Sequence, residues 1–260
     1  MPQTAKSANP NTANPNPSNT VKSALRTLDI IEFVVAHPQG PIAQDIAAAL
    51  DIPVSSLFYL LGTLAEREYL IRDGRRYRAG PGLRRLTAPP ADLTLADRVE
   101  PLVNILRREL DETASFMVRT GWEVEALVTE ASGQALRYAI EPGHRKPLHA
   151  LAAGKAILAT LPEAELARYF AECPRPRFTP HTLVDETALS AALEQIRRDG
   201  VAEAHEENTP GICGLGAAAW LNGEAVGAFA VAIPAVRFNP HVAAKARAAL
   251  ARAAASLAGI

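Results

Sequence analysis

From Ser23 onward apolar residues fall at helical spacing: Leu25, Leu28, Ile31 and Val35 mark one helix, behind a Ser cap, that His37, Pro38 and Gly40 end. Ile42, Ile46, Ala49 and Leu50 predict a second, short helix. Asp51, Ile52 and Pro53 then break the chain tightly, and Pro53 suits the first turn of the next helix. Leu57, Leu60, Leu61 and Leu64 stand at i, i+3, i+4 and i+7, so a third helix presents a single apolar face. Three short helices with a tight turn before the third make a helix-turn-helix pattern. Tyr69, Leu70 and Ile71, the turn Arg72-Asp73-Gly74-Arg75, and Arg76-Tyr77-Arg78 continue as a hairpin with a basic tip. Helices and hairpin together predict a winged helix-turn-helix.

Ala88-Pro89-Pro90 marks a boundary. Beyond it Val99, Leu102, Val103, Leu106 and Leu110 form a stripe flanked by charge, suited to linking domains and pairing with a twin helix. Pro101 lies inside the stripe, so that helix is expected to kink or to begin there. From Ser115 the apolar period changes to two, and strands are expected over 116–119, 124–129, 136–140, 201–205, 216–221 and 225–233. The last two meet at Asn222-Gly223, a strong hairpin signal. Helices are expected over 150–161, 163–171, 186–198 and about 240–257. Hairpin strands with helices grouped between them argue an α+β fold with an antiparallel sheet. The chain therefore divides into an Asn/Pro/Thr/Ser-rich tail over 1–20, expected to be disordered, a DNA-binding domain over 21–88, a linker helix over 89–113 and a second domain over 114–260.

Composition narrows the function. With 48% hydrophobic and 21% charged residues, the 260-residue chain has the stock of an ordinary globular protein. No apolar run approaches the roughly 18 residues that span a bilayer, and the start lacks the basic and apolar regions of a signal peptide, so a cytoplasmic protein away from membranes is expected. Cys173 and Cys213 are too few for a disulfide framework or a four-thiolate zinc site.

The net charge of −1 hides an asymmetry: residues 1–88 carry ten Lys/Arg against seven Asp/Glu, a net +3, which leaves −4 for the rest. Arg72, Arg75, Arg76, Arg78, Arg84 and Arg85 face only Asp73, a cluster that fits a polyanion. On the outward face of the third helix Ser55, Ser56, Phe58, Tyr59, Gly62 and Thr63 alternate with its leucines. An outward Phe-Tyr pair suits sugar or thymine methyl groups. Ser55, Ser56, Phe58 and Tyr59 are therefore expected in the major groove of double-stranded DNA, with Gln44 and the wing residues Arg75 and Arg76 on phosphates or in the minor groove.

Familiar catalytic patterns are missing. Gly154-Lys155 lacks the upstream glycine of a phosphate loop and is followed by Ala156, and no G-x-S-x-G or H-E-x-x-H is present. His205, Glu206, Glu207 and Cys213 could surround one site, but a single loop rarely supplies a whole metal-ligand set, and a small Cys is usually a packing residue. No catalytic residue, metal or cofactor is expected. An enzyme using Cys213 or the His/Glu pair, and a DNA-binding protein whose second domain only oligomerises, stand as alternatives. His149 is expected to be structural and Lys155 a solvated helix residue.

The segments Ser23-Ala-Leu-Arg-Thr-Leu-Asp-Ile-Ile, Asp45-Ile-Ala, Leu50-Asp-Ile-Pro, Ser55-Ser56 and Leu60-Leu61-Gly-Thr-Leu64 resemble the DNA-binding half of the isocitrate lyase regulator (IclR) family of bacterial transcription factors. Pro147-Leu148-His149-Ala150, Ala153-Gly154-Lys155-Ala156, Leu161-Pro162, Gly200-Val201, Glu206-Glu207, Gly211-Ile212 and Ala232-Ile233-Pro234 resemble its effector half, in the same order. The resemblance implies a GAF-like effector domain, a small metabolite as effector, and a homodimer or dimer of dimers on a pseudo-palindromic operator. It carries over Tyr138, Ala152, Ala153, Gly214, Ala230 and Ala232 as lining positions, an unusually apolar set. Gly154 joins them because backbone N–H groups at a helix start suit the carboxylate of an aromatic or short-chain acid. One departure is Tyr59, where the family commonly has Arg.

Overall fold

A computed structural model describes residues 21–259, so the tail expected over 1–20 lies outside the described residues. The chain forms two compact units, which divide between Asp92 and Leu93.

In the first unit α1 (Lys22–Ala36), α2 (Ala43–Leu50) and α3 (Val54–Glu66) precede a hairpin of β1 (Leu70–Asp73) and β2 (Arg76–Ala79), then the short α4 (Arg84–Thr87). Ile30, Val34, Ile46, Leu57, Leu61, Leu64, Leu70 and Tyr77 close its core. The apolar set expected to bury α1 is largely turned the other way: Leu25, Leu28 and Val35 are exposed, while Ile30 and Val34 point inward. The helix carries apolar residues on more than one face, and periodicity alone chose the wrong one. Its N-cap is Val21, with no side-chain hydrogen bond, so Ser23 caps nothing. Between α2 and α3 Asp51 takes a left-handed conformation (φ 50°) and Ile52 plugs the core. Pro53 itself caps α3. The wing pairs Asp73 with Arg76 around a loop in which Gly74 has φ +61°.

The second unit holds one antiparallel sheet in the order β5-β4-β3-β8-β7-β6. Its strands are β3 (Thr113–Thr120), β4 (Glu123–Glu130), β5 (Arg145–Pro147), β6 (Ala202–His205), β7 (Ile212–Leu221) and β8 (Glu224–Pro234). Residues 136–140, expected as a strand, pair with nothing and run as a loop; the edge position goes to the short β5. Alternation divides the sheet. Phe116, Leu215, Phe229, Val231 and Ile233 face α5 (Leu95–Leu110) and α9 (Pro240–Ala258), and Phe116 meets Phe229 edge-on at 4.8 Å between centroids. Met117, Val124, Ala126, Ala204 and Ala228 face α6 (Ala152–Thr160), α7 (Glu163–Glu172) and α8 (Glu186–Asp199).

The stripe expected to pair with a twin helix is used inside the chain. Val99, Val103 and Leu106 are completely buried and Leu102 half-buried against α9 and the sheet. The helix neither begins nor ends at Pro101: it starts at Leu95, where Thr94 Oγ1 accepts from Asp97 N–H at 3.2 Å and Asp97 answers with a bond from Thr94 N–H at 2.9 Å.

Candidate functional site

Two places collect the sequence-predicted residues, one in each unit. On the first, α3 exposes Ser55, Phe58 and Tyr59, the last at 80%, while Ser56 is half-buried. Leu57, Leu61 and Leu64 hold the opposite face in the core, so the core itself fixes which residues look out. Gln44 is exposed in the first turn of α2.

The wing separates two arginines that look equivalent in sequence. Arg75 is exposed in the hairpin loop. Arg76 donates from Nη1 to the Gly40 carbonyl at 2.7 Å, and Ile42 bridges the same residue, so its guanidinium fastens the wing to the turn before α2. That turn needs Gly40: φ is +78°, and a Cβ would stand 3.0 Å from the Tyr77 carbonyl. The other cluster members are also engaged. Arg72 Nε donates to the Gly74 carbonyl, Arg78 lies 3.6 Å from Asp73, and Arg85 binds the Arg67 carbonyl and covers the Tyr69 ring.

In the second unit a cavity of about 60 Å³ lies between the start of α6, the loop carrying Tyr138, and strands β3, β7 and β8. Tyr138, Ala152, Ala153, Gly214, Ala230 and Ala232 all line it. Small residues make the space. Gly214 and Ala232 are register partners, as are Gly216 and Ala230, and at Gly216 a Cβ would come within 2.8 Å of the Ala153 nitrogen.

Gly154 is not part of the lining. Its missing side chain admits the Leu148 carbonyl, which a Cβ would meet at 2.1 Å, so this glycine serves the packing of α6 on the turn before it. The first α6 N–H returned to that helix is Lys155 N–H, which donates to the Leu151 carbonyl at 2.9 Å. Leu151, the N-cap, makes no side-chain cap bond, so the opening N–H groups of α6, at Ala152 and Ala153, have no partner within the helix, and both residues line the cavity.

The polar side of the cavity comes from residues missing from the sequence expectation: Thr113, Ser115, Glu207, Asn208 and Thr209. Thr113 and Ser115 were legible in principle, because they share the face of β3 with Met117. The loop after β6 carries no periodic signal. Lys155 contradicts its expectation: it is 2% exposed, and its Nζ donates to Glu207 Oε1 at 2.6 Å. Burial pushes the ammonium pKa down while the Glu207 carboxylate pulls it back up. Thr179 and Thr182 hydroxyls donate to the carbonyls of Glu206 and Glu207, each at 2.6 Å, and fasten the loop from the other side. His149 is buried, its Nε2 within 3.0 Å of the Pro176 carbonyl and its ring stacked on Phe178.

The residues that could have surrounded a metal or a catalytic centre stay near one another, His205 and Cys213 as register partners, but their polar groups are engaged separately. His205 pairs with Glu203, Glu206 accepts from Gly211 N–H and Glu207 holds Lys155. Burial raises the Cys213 thiol pKa, which lowers its nucleophilic fraction. Among the described residues no three His, Cys, Asp or Glu side chains converge as metal ligands.

Residues 23–74 match the IclR helix-turn-helix domain, and residues 91–258 match the C-terminal domain of bacterial IclR transcriptional regulators. The chain belongs to the IclR family. It is 33% identical over 219 residues to the HTH-type transcriptional regulator Rv1719 of Mycobacterium tuberculosis, covering 84% of this chain and 83% of that one. It is also 33% identical over 226 residues to the regulator BhcR of Paracoccus denitrificans, covering 85% and 81%. The crystal structure of Thermotoga maritima IclR shares the fold with a TM-score of 0.61 at 24% identity, over 90% of this chain and 96% of that one. This IclR member therefore joins a helix-turn-helix DNA-binding domain to a C-terminal effector-binding domain.

Proposed function

We propose that this IclR regulator is a homodimer that binds a pseudo-palindromic operator through α3 and the wing, and that a short carboxylate in the second-unit cavity alters that binding. Ser55, Ser56, Phe58 and Tyr59 read the major groove, while Gln44 and Arg75 take phosphates. Tyr59 in place of a cation moves part of the recognition from charge toward ring contact. The supporting observation for the effector is the cavity: the first residues of α6, Ala152 and Ala153, line it together with small residues of β7 and β8. Its size favours the short-chain acid over the aromatic one, because a cavity of about 150 Å³ is known to take benzene and this one holds about 60 Å³.

The pairing surface in this reading is α1. Leu25, Leu28 and Val35 of α1, with Val21 just before it, are exposed along one side of the helix, apolar surface of the kind that twin helices cover. The chain's DNA and effector functions are tested together by Ala230→Phe. The ring fills the cavity, so carboxylates should cease to raise Tm or to change retention of promoter DNA, while DNA affinity in their absence stays near that of the parent. A variant that responds like the parent would place the effector elsewhere.

A further inference from the structure

Several polar side chains of the cavity already have partners. Thr113 Oγ1 accepts from Ser132 N–H, Ser115 Oγ is 3.0 Å from Thr129 Oγ1, and Asn208 Nδ2 donates to Thr209 Oγ1. Glu207 differs. Its side chain is 92% buried, Oε1 receives Lys155 Nζ, and Oε2 is buried with no hydrogen-bond partner among the described residues. A buried carboxylate oxygen left without a donor is costly, and a ligand that brings one relieves that cost on binding. Ala152 and Ala153, which line the same cavity, open a nine-residue helix whose first N–H groups have no acceptor within the helix.

We propose that Glu207 is a specificity-determining residue for the effector, and that the effector is a short hydroxy acid. Its carboxylate lies on the Ala152 and Ala153 N–H groups and its hydroxyl donates to Glu207 Oε2. This rests on the cavity being the effector site. The charges favour a hydroxyl over an ammonium: Lys155 and Glu207 already neutralise each other. An ammonium would lose its hydration only to compete with Lys155 for one carboxylate, whereas a hydroxyl needs a single bond. Size agrees, because about 60 Å³ holds roughly four to six water-sized centres at 10–15 Å³ each, which is the scale of a two- or three-carbon acid.

The test is calorimetric titration of the full chain with glycolate and lactate, their deoxy counterparts acetate and propionate, and glycine and alanine. The hydroxy acids should bind at least tenfold more tightly than the deoxy acids. Because Glu207→Gln alone strands a buried lysine, the informative variant is Lys155→Met with Glu207→Met, which removes both charges together. It should melt cooperatively, still bind deoxy acids, and discriminate hydroxy from deoxy less than about twofold. Hydroxy preference that survives in this double variant overturns the role of Glu207. Amino acids binding most tightly overturn the hydroxyl assignment. Equal binding of hydroxy and deoxy acids, abolished by Ala230→Phe, overturns the inference yet leaves the cavity as effector site. Binding of none of these acids removes both.

Discussion

Arg75 and Arg76 are neighbours in the wing with identical, exposed side chains, yet Arg76 alone is tied to the turn before α2, which predicts different roles for the two. Arg75 is exposed in the hairpin loop, whereas Arg76 Nη1 reaches the part-buried Gly40 carbonyl at 2.7 Å. If Arg75 takes a phosphate as proposed, replacing it by Ala removes that contact and no side-chain hydrogen bond among the described residues. Each lost contact lowers the slope of log K against log salt by about 0.9, so a dimer with two wings loses about 1.8. Replacing Arg76 by Ala breaks a charge-assisted bond that ties the wing to the turn before α2, at a cost of about 1 kcal/mol. For a unit of this size that corresponds to roughly 4–8 °C in Tm. Fluorescence anisotropy on duplex DNA over a salt series reads the first quantity, and the thermal transition of the winged unit reads the second. Arg75→Ala should flatten the salt slope at unchanged Tm, and Arg76→Ala should lower Tm with a smaller change in slope. If Arg76→Ala flattens the slope as much as Arg75→Ala and melts like the parent, Arg76 belongs on the DNA and the structural assignment is wrong.

Burial sets the remaining expectations. Lys155→Met leaves the Glu207 carboxylate buried without its cation and should destabilise by about 3–5 kcal/mol, while adding Glu207→Met should restore most of the loss in urea unfolding. Burial holds the His149 pKa below its ordinary 6.5, so the unfolded chain binds that proton first. Stability should therefore be full above about pH 6.5 and fall as the pH drops below it; in His149→Gln denaturation curves that segment should be flatter, and an unchanged pH profile would exclude His149 as its source. Leu28→Asp charges the centre of the exposed α1 stripe, and light scattering should then report a shift toward monomer, with weaker operator binding at equal protein concentration. A variant that scatters as the parent does would move the pairing surface off α1.

How far the sequence could be read depends on the kind of signal each element carries. The three leucines of α3 that became core, Leu57, Leu61 and Leu64, stand in a single stripe with polar residues around it, so their inward face was legible. In α1 the apolar residues surround more of the helix, and nothing in the spacing tells Leu28 from Ile30; only the position of α2 and the wing does. The same ambiguity sent Val99, Val103 and Leu106 toward a twin helix when α9 and the sheet supply the partner within the chain. An amphipathic stripe states that it will be covered and is silent about what covers it.

The cavity divides along the same line. Its small residues were accessible through the likeness to a known family, which carries over Ala152, Ala153, Gly214, Ala230 and Ala232 as lining positions. Its polar chemistry was not, because Glu207 and Lys155 lie 52 positions apart and their pairing depends on a loop without periodicity. A charged residue next to Gly154 on a short helix reads as solvated until its partner is seen. Once it is, the reading inverts: the pair fixes one carboxylate oxygen and leaves the other facing inward without a donor. The small residues of the site are therefore reached through family likeness, and the pairing of Lys155 with Glu207 only through tertiary contact. In the proposed reading it is the loop after β6, through Glu207, that meets the hydroxyl of the effector.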